Sequence, residues 1–178
     1  MSKFIRTEAL VIKRTNYADA DRFVTLFSQD FGKISALARG VRKITSRKRS
    51  ALEPFSRVKV HLVKGKVGYL VSEAEVVDSF LGVKQTLPRL TQAMQIVEII
   101  DSLTAEEEVH WYVYRELIKT FELLDKANLQ RKQVIDMVKF VLDDLGFGYP
   151  SESEMQLKDH IESITQKPLR SKRFLMQI

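Results

Sequence analysis

The chain has 178 residues, 44% hydrophobic and 29% charged, with a net charge of +6; this composition is globular and excludes an intrinsically disordered chain. It holds no cysteine, which excludes disulfides, a cysteine-ligated zinc and a thiol nucleophile. No apolar run approaches the roughly 18 residues that cross a bilayer, and the N-terminal stretch lacks an apolar signal core, so neither a membrane span nor export is expected.

Up to residue 80 the apolar residues alternate with a period of two. Phe4, Glu8, Leu10 and Ile12 fall on one face of a first strand, and Ile5, Thr7, Ala9 and Val11 on the other. Residues 22–28 read as a second strand. Asp30-Phe31-Gly32 makes a turn, and 33–38 follow as a third strand. Residues 55–63 form a fourth after Pro54, and Lys64-Gly65-Lys66 turns into a fifth from Gly68 to Ala74. Five short strands predict a small closed barrel, because closure removes the exposed edges of an antiparallel sheet.

Past Pro88 the period becomes 3.6. Leu90, Ala93, Met94, Val97, Ile100 and Leu103 mark one helix. Thr104 with Glu107 has the capping-box spacing, which predicts a second helix from Thr104, through Trp111-Tyr-Val-Tyr114 and on to Leu124. Its aromatic set reads as core. A third helix runs from about Leu129 to Leu145 and is ended by Gly146, Gly148 and Pro150. Ser151 with Glu154 predicts the cap of a fourth. The fold class is therefore α+β: a five-stranded barrel over residues 1–80, then a helical domain over 81–178 with a basic C-terminal segment.

Charge is unevenly spread. Residues 1–80 hold 16 basic and 8 acidic side chains (+8), 81–150 hold 8 and 11 (−3), and 151–178 hold 5 and 4 (+1). Within the first part, residues 39–49 read Arg-Gly-Val-Arg-Lys-Ile-Thr-Ser-Arg-Lys-Arg, six basic of eleven, and no carboxylate occurs between Phe31 and Leu52. Such a cluster either aids solubility as a solvated loop or binds a polyanion. Its concentration in one half of the chain favours the polyanion. Arg39, Arg42, Lys43, Arg47, Lys48 and Arg49 are the expected phosphate contacts, with Lys33, Arg14, Lys64 and Lys66 at the flanks. Lys172 and Arg173 form a second basic patch. Tyr17, read as part of a turn, is the expected base-stacking aromatic, whereas Phe31, Phe55 and Tyr69 read as core.

No catalytic constellation emerges. His61, His110 and His160 are scattered, so no metal site and no cofactor is expected. Lys64-Gly-Lys-Val-Gly68 lacks the spacing of a phosphate loop. On the third helix, Arg131, Lys132 and Lys139 stand among Val134, Ile135, Val138 and Phe140. This pattern suits either a helix–helix core with a solvated charged face or an apolar groove edged by charge that would dock a peptide.

Several stretches resemble the bacterial recombination mediator family RecO: Thr7-Glu-Ala-Leu-Val-Ile-Lys-Arg14, Tyr17-x-x-Ala-Asp-Arg-Phe-Val-Thr-Leu-Phe27, Gly32-Lys-Ile-Ser-Ala-Leu-Ala-Arg-Gly-Val-Arg-Lys43 and Ala51-Leu-Glu-Pro-Phe55. Leu145-Gly-Phe-Gly148 and Pro168-Leu-Arg-Ser-Lys-Arg-Phe-Leu175 resemble its later elements. The resemblance implies an OB-fold barrel plus helices, no enzymatic turnover, and binding of single- and double-stranded DNA. It further implies strand annealing and, with a RecR-type protein, assistance to a RecA-type recombinase on DNA coated by single-strand-binding protein, whose acidic tail the helical part would bind. A bacterial cytoplasmic, nucleoid-associated location goes with it. The chain departs from many members in lacking a four-cysteine zinc module, which makes it a short form by that pattern. Two other readings stay open on the residues alone: an RNA-binding OB-fold protein of the translation or ribosome-associated kind, and a protein–protein adaptor working through its helices.

Overall fold

The computed structural model describes residues 3–66, 68–149 and 154–169. It divides into two compact units. The first contains an N-terminal barrel of five strands: β1 (Lys3–Tyr17), β2 (Asp21–Ser28), β3 (Gly32–Ala38), β4 (Arg57–Gly65) and β5 (Gly68–Asp78). They close in the order β1-β2-β3-β5-β4, an OB-fold. β1 is long enough to serve two neighbours. Its first half pairs antiparallel with β4, from Lys3–Lys64 to Leu10–Arg57, and its second half with β2, from Ala9–Ser28 to Tyr17–Asp21. A register shift between Val11 and Lys13 bends the strand between these two duties. Closure comes from a short parallel pairing of β3 with β5, at Ala36–Tyr69 and Leu37–Leu70.

The interior explains the alternation. Ala9, Val11, Val24, Leu26, Ile34, Ala36, Ala38, Val58, Val60, Leu62 and Val71 all point inward and are buried. Alanine at three of these positions suits the narrow bore of a five-stranded barrel. Phe55 and Tyr69 are buried, as the sequence predicts.

The first unit also takes in Ala105–Tyr114, which follows the first long helix in the chain. The capping box expected at Thr104 and Glu107 does not form. Thr104 instead ends a helix, its hydroxyl donating to the Ile100 carbonyl at 2.7 Å. Glu107 adopts a left-handed φ of 58°, its N–H donates to the Lys33 carbonyl at 2.9 Å, and its carboxylate accepts from Lys64 at 2.9 and 3.0 Å. Partners on the barrel thus outcompete a local helical turn, and the next helix starts only at Trp111. Gly32 permits the approach: its φ is +65°, and a Cβ there would lie 1.7 Å from the Glu108 carbonyl oxygen. Only part of the aromatic set is core. Val113 and Tyr114 are buried, whereas Trp111 and Tyr112 are exposed. Tyr114 donates to Glu8 at 3.0 Å, and Glu8 also accepts from Arg57 at 2.6 Å. Burial and the nearby Glu8 charge push the Tyr114 hydroxyl well above its ordinary pKa.

The second unit is helical: α1 (Leu81–Gln85), α2 (Leu87–Leu103), the part of α3 (Trp111–Lys126) beyond Tyr114, α4 (Arg131–Asp144) and α5 (Glu154–Thr165). Its core includes Ile96, Ile100, Leu117, Phe121, Leu124, Val138, Leu142 and Ile161. Arg89 closes the α3 C-terminus by donating to the carbonyls of Asp125 and Lys126, both at 2.9 Å. Buried Gln92 exchanges two hydrogen bonds with the Leu129 backbone, at 2.9 and 3.0 Å. Gly146, at φ 77°, ends α4 as expected, with Phe147 N–H returning to the Leu142 carbonyl at 2.9 Å. Among the described residues no helix is long and apolar enough to cross a membrane. The predicted cap at Ser151 lies outside the described residues.

Candidate nucleic-acid interface

Residues 39–56 join β3 to β4 without regular structure, yet they are held closely to the barrel. Val41, Ala51 and Leu52 are fully buried in the barrel core. Burying a leucine of this kind stabilises by about 1.5–3 kcal/mol. At the start of the loop, Gly40 N–H donates to the Asp21 carboxylate at 2.8 Å and Arg42 N–H to the Ala20 carbonyl at 2.9 Å. Overlapping turns follow, with Ser46 N–H on the Lys43 carbonyl and Leu52 N–H on the Lys48 carbonyl. At its end, Phe55 N–H donates to the Val11 carbonyl at 2.8 Å, and Val11 N–H to Ser56 at 2.9 Å. Apolar anchors thus face inward while the basic residues between them face water.

Those basic residues divide into two groups. Arg39, Lys43, Arg47 and Arg49 are exposed, and their side chains have no hydrogen-bond or ion-pair partner among the described residues. Arg42 and Lys48 are tied to backbone carbonyls, Arg42 to Ala18 at 3.2 Å and Lys48 to Val71 at 2.9 Å. A carbonyl is neutral, so both keep their charge available. The nearest carboxylate in the loop, Glu53, is already engaged by Arg14 and Arg22. The loop therefore carries six basic side chains, none of them paired with a carboxylate among the described residues.

The flanking candidates fare unevenly. Lys33 is only 8% exposed, which removes it from any surface contact: the pairing of β3 and the strap at Glu106 cover it. Arg14 is bound to Glu53. Lys64 is bound to Glu107 and lies 4.8 Å from the Tyr69 ring centre; hydrogen bonding to that carboxylate raises its pKa. Lys66 is exposed in the β4–β5 turn. Tyr17 sits at the end of β1 and not in a turn; it is 52% exposed and makes an edge-on contact with Phe23, ring centres 4.9 Å apart. Lys172 and Arg173 lie outside the described residues. His61 is held by Arg6 at 2.6 Å and Glu73 at 3.1 Å, and no group of three or more metal-ligating side chains occurs among the described residues. With no cysteine in the sequence, a four-thiolate zinc site has no ligands here.

On α4, Arg131 and Lys132 are exposed at the first turn, and Lys139 lies 5.0 Å from the ring centre of Tyr149. Val134 and Val138 are buried, whereas Phe140, Phe147 and Tyr149 are exposed.

The family model for the N-terminal domain of recombination protein O matches residues 1–80, the whole barrel. A DNA repair protein RecO from Pelotomaculum thermopropionicum is 34% identical over 122 residues, covering 68% of this chain and 48% of that protein. The RecO of Heliobacterium modesticaldum is 36% identical over 104 residues, 58% of this chain and 38% of that protein. The chain belongs to the RecO family. A third relative, the RecO of Acetivibrio thermocellus, is 29% identical over 146 residues, 82% of this chain and 58% of that protein, so the similarity extends past the barrel into the helices. The chain spans about half the length of the curated RecO proteins it matches.

In this RecO-family barrel, charge density marks the loop in the sequence. What the sequence does not mark is Phe23: only the β1–β2 register, with Thr15 opposite Phe23 and Tyr17 opposite Asp21, sets the two rings diagonal to each other.

Proposed function

We propose that the chain is a DNA-binding recombination mediator acting in DNA repair, with the β3–β4 loop as its phosphate-binding surface. The observation that carries this reading is the set of six cations with no carboxylate partner among the described residues, Arg39, Arg42, Lys43, Arg47, Lys48 and Arg49, on a loop whose backbone is fixed by Val41, Leu52 and Phe55. Fixed cations bind phosphates and release counterions without ordering a chain first. Such contacts do not read sequence and do not cover the base-pairing edges, which suits annealing of complementary strands. Both single- and double-stranded DNA would bind. Lys66 extends the surface. The work is binding and not turnover, in a bacterial cytoplasm, with a RecR-type protein and a RecA-type recombinase as partners in loading.

For the helical unit, the exposed Phe140, Phe147 and Tyr149 beside Lys139, with Arg131 and Lys132 on the same helix, favour docking of the acidic tail of single-strand-binding protein. Annealing of complementary oligonucleotides coated with that protein tests the whole reading. The native chain should accelerate it. Arg47→Glu, Lys48→Glu and Arg49→Glu together should abolish acceleration, and Arg131→Ala, Lys132→Ala and Lys139→Ala should abolish it only on coated strands. Equal rates with and without the native chain would overturn the proposal.

A further inference from the structure

We infer that Tyr17 and Phe23 form a base-stacking platform that gives the barrel its preference for single-stranded over double-stranded DNA. This inference rests on the phosphate-binding role of the loop. Phe23 lies on a strand whose next residue, Val24, is wholly buried, so alternation turns Phe23 outward; it is 40% exposed. Tyr17 meets it edge-on at 4.9 Å. Each ring thus holds the other's orientation, while both keep surface open. Neither ring fills the barrel core, so packing of the interior does not account for them.

The surroundings identify the occupant. On the same outward parity stand Lys13 and Thr15 of β1, Asp21 and Thr25 of β2 opposite Tyr17 and Lys13, and Ser35 and Leu37 of β3, with Leu37 opposite Phe23; the Asp21 carboxylate is turned to the loop, where it accepts from Gly40 N–H at 2.8 Å. Arg39 continues that parity past the end of β3. Lys13 and Arg39 are exposed and have no side-chain partner among the described residues. The basic loop is fastened beside the platform, because Arg42 bonds the carbonyls of Ala18 and Ala20 in the β1–β2 turn. An aromatic face flanked by free cations fits a strand whose phosphates run along the cations while its bases lie on the rings. Duplex bases are stacked on one another and offer no free face, so duplex DNA would use the cations alone.

The test measures binding by fluorescence anisotropy to three oligomers of equal length: single-stranded, duplex, and single-stranded with abasic sites throughout. Replacing the pair by Tyr17→Leu and Phe23→Leu keeps apolar bulk and removes both π-faces. Affinity for the single strand should fall about tenfold or more, with less than about a twofold change on duplex and on abasic DNA. Tyr17→Phe with Phe23→Tyr should restore native binding. Unchanged single-strand affinity in the leucine pair, or equal losses on all three oligomers, overturns the platform. Unchanged binding after reversal of Arg47, Lys48 and Arg49 would instead overturn the phosphate-binding loop, so the two failures are told apart.

Discussion

Two irregular segments are strapped to the same barrel, and they differ in what they do with their charges. Residues 39–49 are basic, anchored through buried Val41 and backbone hydrogen bonds, and leave four cations without a partner. Ala105–Tyr114 is acidic at its start, anchored through Lys33, Glu8 and the gap at Gly32, and spends Glu107 on Lys64. Both depend on the barrel for their shape. The first directs its charge at solvent, whereas the second uses charge to attach itself. Net charge alone would not separate a binding surface from a structural strap; partner accounting does.

The largest expected effect lies in the basic loop. Arg47→Glu, Lys48→Glu and Arg49→Glu together should weaken single-stranded DNA binding by about a hundredfold near 0.1 M salt, judged from three lost phosphate contacts. Glu106→Lys with Glu108→Lys, by contrast, should leave affinity unchanged or slightly raised. Comparable losses from both sets would erase the distinction between the segments.

Next comes the anchor. Leu52→Ala removes a wholly buried side chain and should cost about 2–5 kcal/mol in chemical unfolding. Because the loop is pinned by that residue, DNA affinity should fall as well, even where the barrel stays folded.

Gly32→Ala acts on the other segment. The added Cβ meets the Glu108 carbonyl, and the φ of +65° disfavours alanine, so a destabilisation of about 1–3 kcal/mol is expected. DNA affinity should not change; a loss of binding would tie the strap to the interface.

The smallest effect concerns Tyr114→Phe, which removes the hydrogen bond to Glu8 at about 1 kcal/mol. It also carries a pH signature. The folded-state hydroxyl titrates above its ordinary value of 10.0, so its contribution is complete below pH 10.0 and is lost as pH rises beyond that. Native protein should therefore lose stability more steeply above pH 10 than the phenylalanine variant, a difference readable in thermal melts across alkaline buffers.

Much of this was legible in the sequence, for identifiable reasons. Strands whose alternate side chains fill one small core announce themselves, as Val58, Val60 and Leu62 do against Arg57, Lys59 and His61. The charge of the loop needs no structure to be seen. What stayed hidden depends on long-range register. The Thr104–Glu107 spacing signals a helix cap locally, yet the carbonyl of Lys33 and the ammonium of Lys64 claim Glu107 from about 40 to 75 residues away. Lys33 counts as a surface cation in any local reading, yet the pairing of β3 and the strap at Glu106 bury it. Phe23 looks like an ordinary strand aromatic until the pairing with β1 sets it beside Tyr17.

The central claim is that the six cations of the β3–β4 loop contact phosphates. The salt dependence of single-stranded DNA affinity tests it most directly. With about six phosphates contacted, the log of the association constant against log salt concentration should have a slope of roughly −4, shrinking to roughly −2 when Arg47, Lys48 and Arg49 are reversed. A native slope near zero, or the same slope in both proteins, would contradict it.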